Sequence, residues 1–304
     1  MIPADATFDD TYPFPPRFSS APGFRMHYID EGQADAPVVL MLHGEPTWSY
    51  LFRRQIMALR KRFRVIAVDH MGFGKSETPS DRSYWLQDHI SNLEALVLEL
   101  DVRGISLVMH DFGGPVGMGL AVRHPDRIAA VVSVNAPTPL GQPDLLDVLT
   151  ANGTTSPWFQ WIVNAHNSGD LEPILQHLDY NILSTLKLNG FEDNSIITPT
   201  WIKAYGAAFG SPEECRGAIG WALGFATGQH VFEQPTPAIA AQLANTPALA
   251  VWGTADSTLD PKHFLPLFSQ AFPSGRIEEL PDAGHYSPED APERVAQLIA
   301  GFLA

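Results

Sequence analysis

Asp111 is the residue of this sequence best placed for nucleophilic chemistry, because it stands between a strand-like run and a helix-like run. Residues 109–114 read MHDFGG, the form of a nucleophile elbow, a tight turn that raises one side chain above the end of a sheet. A helix that begins directly after the turn keeps the carboxylate ionised and offers N–H donors to an oxyanion. An N-capping turn without a catalytic role is the alternative interpretation of the same segment.

An aspartate in this position restricts the reaction. Attack of a carboxylate on an ester gives an anhydride, which is uphill, whereas attack on a saturated carbon that bears a leaving group gives a stable alkyl ester. A histidine can then activate water to hydrolyse that ester. Asp111 therefore predicts substitution at a saturated carbon, followed by ester hydrolysis.

His285 is the predicted base, and Asp256 is the acid predicted to orient it. His285 comes in a turn after the last predicted strand, third in chain order, where the base of such a site is expected. Asp256 follows the preceding strand, and Asp260, a little further along, competes with it. The alternative slot, one strand earlier, holds Asn135, whose amide cannot stabilise an imidazolium as a carboxylate does. The sequence therefore predicts a triad of Asp111, His285 and Asp256.

The predicted oxyanion hole consists of backbone amides. Residues 43–46, HGEP, follow an earlier strand, in the place where a second oxyanion donor is expected. The backbone N–H groups of Glu45 and Phe112 are the candidates for the hole. A plain loop rich in glycine and proline fits the same residues.

The elements that must position these residues alternate between strands and helices. Apolar runs predict strands at 38–42, 63–69, 105–109, 128–134 and 248–252, after an antiparallel lead-in strand at 23–30. A further strand is predicted at 276–280. Helical spacing occupies 48–60, 86–100, 115–124 and 291–303. This alternation predicts βαβ units and a mostly parallel sheet flanked by helices. Together with the elbow, it predicts an α/β-hydrolase fold.

The strand pattern stops at Asn135 and resumes at Ala248. The intervening chain has several Pro and Gly breaks and helical stretches at 158–166, 171–187 and 199–208. We therefore predict one parallel-sheet domain that is interrupted by an inserted helical cap. The expected boundaries are 1–136 for the first part of the core, 137–230 for the cap and 231–304 for the second part of the core.

Composition limits the partners and the compartment. The 304 residues include 34 acidic and 19 basic side chains, a formal net charge of -15. So negative a surface repels phosphate backbones and anionic lipid, so we expect no nucleic-acid or membrane partner and a neutral small-molecule substrate. Cys215 is the only cysteine, and the start of the sequence lacks a basic and apolar signal segment. The expectation is a cytoplasmic protein.

Five segments together resemble haloalkane dehalogenases: HGEPTWSY at 43–50, GFGKS at 72–76, HDFGG at 110–114, GH at 284–285 and the cap string AYGAAF at 204–209. The resemblance covers nearly the whole chain. It implies hydrolysis of a carbon–halogen bond in a small haloalkane, giving alcohol and halide. The mechanism needs no metal and no organic cofactor. In one respect the chain departs from the family, which usually places a halide-binding tryptophan directly after the nucleophile, where this sequence has Phe112.

Cap residues are the candidates for the missing halide donor. Trp158 and Trp161 lie early in the cap, although core packing is an alternative role for each. Tyr205 lies where an epoxide hydrolase would carry a cap tyrosine, so an epoxide hydrolase with the same triad is the alternative function. The early cap offers no partner tyrosine. A third interpretation is a hydrolase fold reused as a binding protein, but such proteins typically lose a triad member.

Overall fold

One eight-stranded sheet forms the centre of the molecule, with the strand order β1-β2-β4-β3-β5-β6-β7-β8. The computed structural model describes residues 2–171, 192–211 and 213–304. Its strands are β1 (Arg17–Ser19), β2 (Met26–Glu31), β3 (Val38–Leu42), β4 (Arg64–Val68), β5 (Ile105–His110), β6 (Ile128–Val134), β7 (Ala248–Gly253) and β8 (Arg276–Leu280). β2 is antiparallel to β1 and β4, and the other pairs are parallel. The prediction of a mostly parallel sheet is confirmed.

Helices flank this sheet and pack against its strands. The described helices are α1 (Arg53–Leu59), α2 (Leu86–Glu99), α3 (Gly113–Arg123), α4 (Leu145–Thr155), α5 (Pro157–Ser168), α6 (Pro199–Gly206), α7 (Arg216–Ala226), α8 (Pro237–Ala244), α9 (Pro261–Ala271), α10 (Ser287–Asp290) and α11 (Pro292–Phe302). Short 3₁₀ turns occupy Ser49–Phe52, Pro125–Arg127, Asn194–Ile196 and Glu213–Cys215. Because the central strands β3, β5 and β7 are buried along their whole length, their sequences are mostly apolar instead of alternating between apolar and polar residues.

The chain between β6 and β7 contributes no strand among the residues that the structure describes. Within it, α5 packs against α4 and α7. The helix predicted at 171–187 lies almost entirely outside the described residues, and the predicted cap boundaries remain a prediction. Nowhere in the described chain is a helix both long enough and apolar enough to cross a lipid bilayer.

The parallel register brings the ends of the central strands to one edge of the sheet. The paired residues nearest that edge are Leu42 with Met109, His110 with Val134, Val134 with Val251, and Gly253 with Leu280. The loops after β5, β7 and β8 carry Asp111, Asp256 and His285. Ligands of open α/β sheets bind at this carboxyl edge, so the fold collects the predicted triad where a substrate would bind.

Candidate active site

Asp111 occupies a strained turn between β5 and α3. Its φ of 48° lies in the left-handed region, which side chains other than glycine rarely adopt. Such strain persists where the surrounding structure enforces it, commonly at functional sites. The turn presses the carboxylate against the neighbouring loop: a Cβ at Gly44 would lie 2.3 Å from Asp111 Oδ1. Only glycine at position 44 leaves room for the aspartate.

Backbone amides hold the Asp111 carboxylate. The N–H of Glu45 donates to Asp111 Oδ1 over 2.8 Å. Burial raises the pKa of Asp111, but the His285 side chain and the N–H of Phe112 outweigh burial and bring this pKa below its ordinary value. Asp111 therefore favours the ionised form, which a nucleophile requires. The backbone N–H groups of Glu45 and Phe112, predicted for the oxyanion hole, both lie at its carboxylate.

His285 lies between two carboxylates. Its Nε2 is 3.6 Å from Asp111 Oδ2, and its Nδ1 is 2.9 Å from Asp256 Oδ2. His110 Nε2 donates to the backbone carbonyl of His285 over 2.9 Å, which fixes the turn that carries the imidazole. Burial lowers the pKa of His285, but the charge on Asp256 and the contacts with Asp111 outweigh burial. The net effect raises the pKa of His285 to about 10. The free site thus favours an imidazolium between two carboxylates.

Asp256 is held on every side by hydrogen bonds. Its Oδ1 accepts the N–H groups of Thr258 and Leu259, each over 2.8 Å. Its Oδ2 accepts from Asn135 Nδ2 over 2.8 Å as well as facing His285. The competing carboxylate, Asp260, instead accepts the N–H of Lys262 at the start of α9. The structure therefore places Asp256, and not Asp260, against the histidine.

Asn135 connects the two positions considered for the acid, because it lies at the end of β6 and its side chain hydrogen-bonds to Asp256 after β7. Its side chain lies after β6, donates to Asp256 and accepts from the N–H of Gly253 over 3.0 Å and from the hydroxyl of Ser287 over 2.7 Å. Its φ of 45° is left-handed, a conformation that asparagine tolerates better than most residues. The sequence analysis assigned Asn135 no role. Its position, at the alternative site for the acid, was the feature from which a supporting role could have been predicted.

Glu45 has a buried side chain beside the nucleophile. Burial, and then the charge on Asp111, raise the pKa of Glu45 well above its ordinary value. The carboxyl group therefore favours its neutral, protonated form. An acidic residue next to Asp111 is tolerated because it does not add a second negative charge.

A cavity of about 420 Å³ opens over Asp111, a size typical of small-molecule sites. Most of its described lining is apolar: Phe112, Pro115, Pro137, Leu146, Leu149, Ile162, Val163, Ala222, Phe225, Phe232 and Leu259. The ring of Phe112 packs 4.4 Å from that of Trp221 and 4.8 Å from that of Phe225, measured between centroids. The polar lining side chains are Asp111, Thr150, Asn152 and His230.

Two of the three predicted cap residues, Tyr205 and Trp161, are not among the described residues that line this cavity. Tyr205 is buried elsewhere, and its hydroxyl donates to Glu289 over 2.6 Å, where Glu289 also pairs with Arg53. Trp161 packs, partly buried, against the core and is not among the described lining residues. Trp158 belongs to α5, and its side chain lies outside the described part of the structure. Sequence position alone did not reveal the buried ion pair that engages Tyr205.

Metal-binding geometry is missing from the part of the chain that the structure describes: no group of three or more His, Cys, Asp or Glu side chains is arranged to hold an ion. Asp111, His285 and the backbone N–H of Glu45 offer instead a carboxylate, an imidazole and an amide donor. This set suits nucleophilic and acid–base chemistry.

Known proteins resemble this chain over nearly its whole length. The profile of the α/β hydrolase fold family matches residues 37–292. A cis-3-alkyl-4-alkyloxetan-2-one decarboxylase of Shewanella oneidensis is 34% identical over 97% of this chain and 90% of its own length. Haloalkane dehalogenase 2 of Mycobacterium tuberculosis is 31% identical over 95% of this chain and 94% of its own. The crystal structure of an ancestral haloalkane dehalogenase superposes with a TM-score of 0.71 at 25% identity, covering 94% of this chain and 98% of that one.

The chain belongs to the α/β hydrolase fold family. Within that family it is a dehalogenase-like hydrolase, which confirms the resemblance seen in the sequence.

Proposed function

We propose that this protein hydrolyses the carbon–halogen bond of a small neutral haloalkane through an alkyl ester on Asp111. The observation that carries the proposal is the placement of an ionised aspartate, instead of a serine, at the elbow under an apolar cavity. His285 lies within reach on one side, and a backbone amide on the other. Alcohol and halide are the expected products.

In the first step, Asp111 Oδ2 attacks the saturated carbon, and the halide departs with the bonding electrons. Asp111 Oδ1 becomes the carbonyl oxygen of the ester and keeps the hydrogen bond from the N–H of Glu45. The Glu45 amide that holds the carboxylate in the free enzyme is thus already aimed at the oxygen that becomes the oxyanion.

In the second step, His285 removes a proton from water, and the hydroxide attacks the ester carbonyl to give a tetrahedral oxyanion. When this intermediate collapses, the bond between the acyl carbon and the alkoxy oxygen breaks, and the alkoxide leaves as the alcohol with the proton from the imidazolium. The Asp111 carboxyl group then loses its proton to solvent, which restores the carboxylate.

The imidazole of His285 must be neutral to remove the proton from water, whereas the pKa of about 10 belongs to the free site, where Asp111 is charged. Ester formation removes the negative charge of Asp111 and so lowers the pKa of His285. Asp256 keeps the imidazole oriented through Nδ1 and stabilises the imidazolium that forms.

Phe112 makes departure of the halide less favourable than a tryptophan at this position would. A phenyl ring offers only a weakly positive edge to an anion, whereas an indole would donate an N–H. Loss of one hydrogen bond to a charged partner costs about 1.5–3 kcal/mol, or roughly a ten- to hundredfold slower step if wholly realised. The proposal therefore favours bromide and iodide, which leave more readily than chloride.

A second candidate substrate is a four-membered lactone, because a relative that matches nearly the whole chain is named for oxetanone decarboxylation. Asp111 attack on the saturated ring carbon opens its C–O bond and leaves a carboxylate on the substrate. Loss of CO₂ then supplies the electrons for a C=C bond and expels Asp111. This route needs neither a halide donor nor water.

An epoxide hydrolase is less well supported. A departing epoxide oxygen needs acids, and the hydroxyl of Tyr205 is engaged by Glu289 away from the described cavity lining. The assembled triad likewise favours an enzyme over a binding protein.

Product analysis with three substrate series tests the proposal: chloro-, bromo- and iodoalkanes, epoxides, and dialkyl oxetanones, each with Asp111→Asn as control. We expect halide and alcohol from the haloalkanes, and none with the variant. Alkene and CO₂ from oxetanones without halide release would assign the second candidate, and diol formation alone would assign an epoxide hydrolase.

A further inference from the structure

Asn152 stands out among the polar residues of the cavity because part of its side chain is unpaired. It lies in α4, lines the same cavity as Asp111 and is only 2% exposed. The other polar side chains around it are engaged. The hydroxyl of Thr150 donates to Leu146 O over 2.8 Å.

His230 is engaged through both ring nitrogens. Its Nδ1 accepts the N–H of Leu86 over 3.0 Å, and its Nε2 donates to the carbonyl of Trp221 over 2.8 Å. The imidazole therefore presents no free polar atom to a ligand in this arrangement.

The orientation of the Asn152 amide is fixed by Thr258. Asn152 Nδ2 donates to Thr258 O over 3.0 Å, and a carbonyl can only accept, so the nitrogen and not the oxygen faces Thr258. Asn152 Oδ1 has no hydrogen-bond partner. A buried acceptor left unpaired is unfavourable, and such groups usually have a partner that is a protein group, water or a ligand.

We propose that Asn152 is a specificity residue that accepts a hydrogen bond from a hydroxyl group carried on the substrate's chain. The preferred substrates are then haloalkanes with a hydroxyl at a distance from the reacting carbon. This inference rests on the proposed dehalogenation. In an apolar cavity an unpaired hydroxyl is penalised, so without Asn152 the same substrates would be rejected.

The test compares kcat/KM for bromoalkanes of increasing length with that for the corresponding ω-bromoalcohols. In the unmodified protein we expect the bromoalcohol to be preferred about tenfold at the length that spans the cavity. Asn152→Leu removes the acceptor and should reverse the preference. Because each ratio is taken within one variant, a general loss of activity does not affect it. The hydroxyl of Thr150 already donates to Leu146 O. Thr150→Val should therefore keep the bromoalcohol-to-bromoalkane ratio of the unmodified protein.

Two results overturn the inference while leaving the proposed function intact: bromoalkanes preferred at every length, or a bromoalcohol preference that survives Asn152→Leu. Absence of halide release from both series would instead refute the proposed function. Thermal stabilisation by alkanediols, compared with n-alkanols in the unmodified protein and Asn152→Leu, measures the contact independently of turnover. Equal stabilisation by both ligands in both proteins would also overturn the inference.

Discussion

The protonation of His285 depends on the charges of the two carboxylates beside it. With both carboxylates in place, the pKa of His285 is about 10. In the proposed mechanism, esterification of Asp111 would remove one of these charges and lower this pKa. The chain order of Asp111, Asp256 and His285 allowed these residues to be predicted, since each follows a recognisable strand. Tyr205 could not be placed in this way, because its partner Glu289 is 84 residues away.

The raised pKa of His285 predicts how stability depends on pH. Since the pKa is about 10 in the folded protein and 6.5 in a model peptide, the imidazolium contributes its full stabilisation below pH 6.5. This contribution is lost as the pH rises through 10. We expect the difference in unfolding free energy between the unmodified protein and His285→Gln to shrink across that range, measured by urea denaturation. A difference independent of pH would contradict the assigned environment.

At the scale of elements, the ends of the strands position the site. The apolar runs predicted β3 to β7 because central strands leave few alternatives for such runs. β8 was also predicted, although it is an edge strand in which only two of the five residues are apolar. The short β1 and the helices α4, α7, α8, α9 and α10 were not predicted. β1 is only three residues long, and the helices are defined by what they pack against more than by their own sequence pattern.

The elbow between β5 and α3 requires glycine at position 113. A Cβ there would lie 2.2 Å from the carbonyl oxygen of Leu42, whereas a Cβ at Gly301 in α11 meets nothing within 4 Å. Gly113→Ala should therefore lower the free energy of unfolding by about 1–3 kcal/mol. Gly301→Ala, the matched control, should leave it unchanged or raise it by roughly 0.5–1 kcal/mol. Equal effects in thermal or urea unfolding would contradict the predicted crowding.

The end of β6 should matter for the second chemical step more than for the first. Asn135→Gly keeps a left-handed backbone accessible but removes the amide that holds Asp256. We expect the burst of halide from alkylation to persist while steady-state turnover falls about tenfold or more. Asn245→Gly, at the exposed end of α8, serves as the control. Equal losses in burst and steady state would refute this role.

At the scale of the whole molecule, the net charge of -15 acts on every approaching substrate. Repulsion slows anionic substrates and is screened by salt, whereas neutral ones are unaffected. We expect kcat/KM for ω-bromocarboxylates to rise with added sodium sulfate, which supplies no halide, while that for bromoalkanes of equal length stays constant. Parallel salt dependence of both series would contradict electrostatic control of substrate choice.

The aspartyl ester is the claim on which the rest depends, and a covalent trap tests it most directly. His285→Gln, incubated with a bromoalkane, should release one halide per site and gain the mass of the alkyl group on the peptide that contains Asp111. The double variant with Asp111→Asn should gain none. Undiminished turnover in Asp111→Ala, or halide release from His285→Gln without any mass gain on that peptide, would contradict the account.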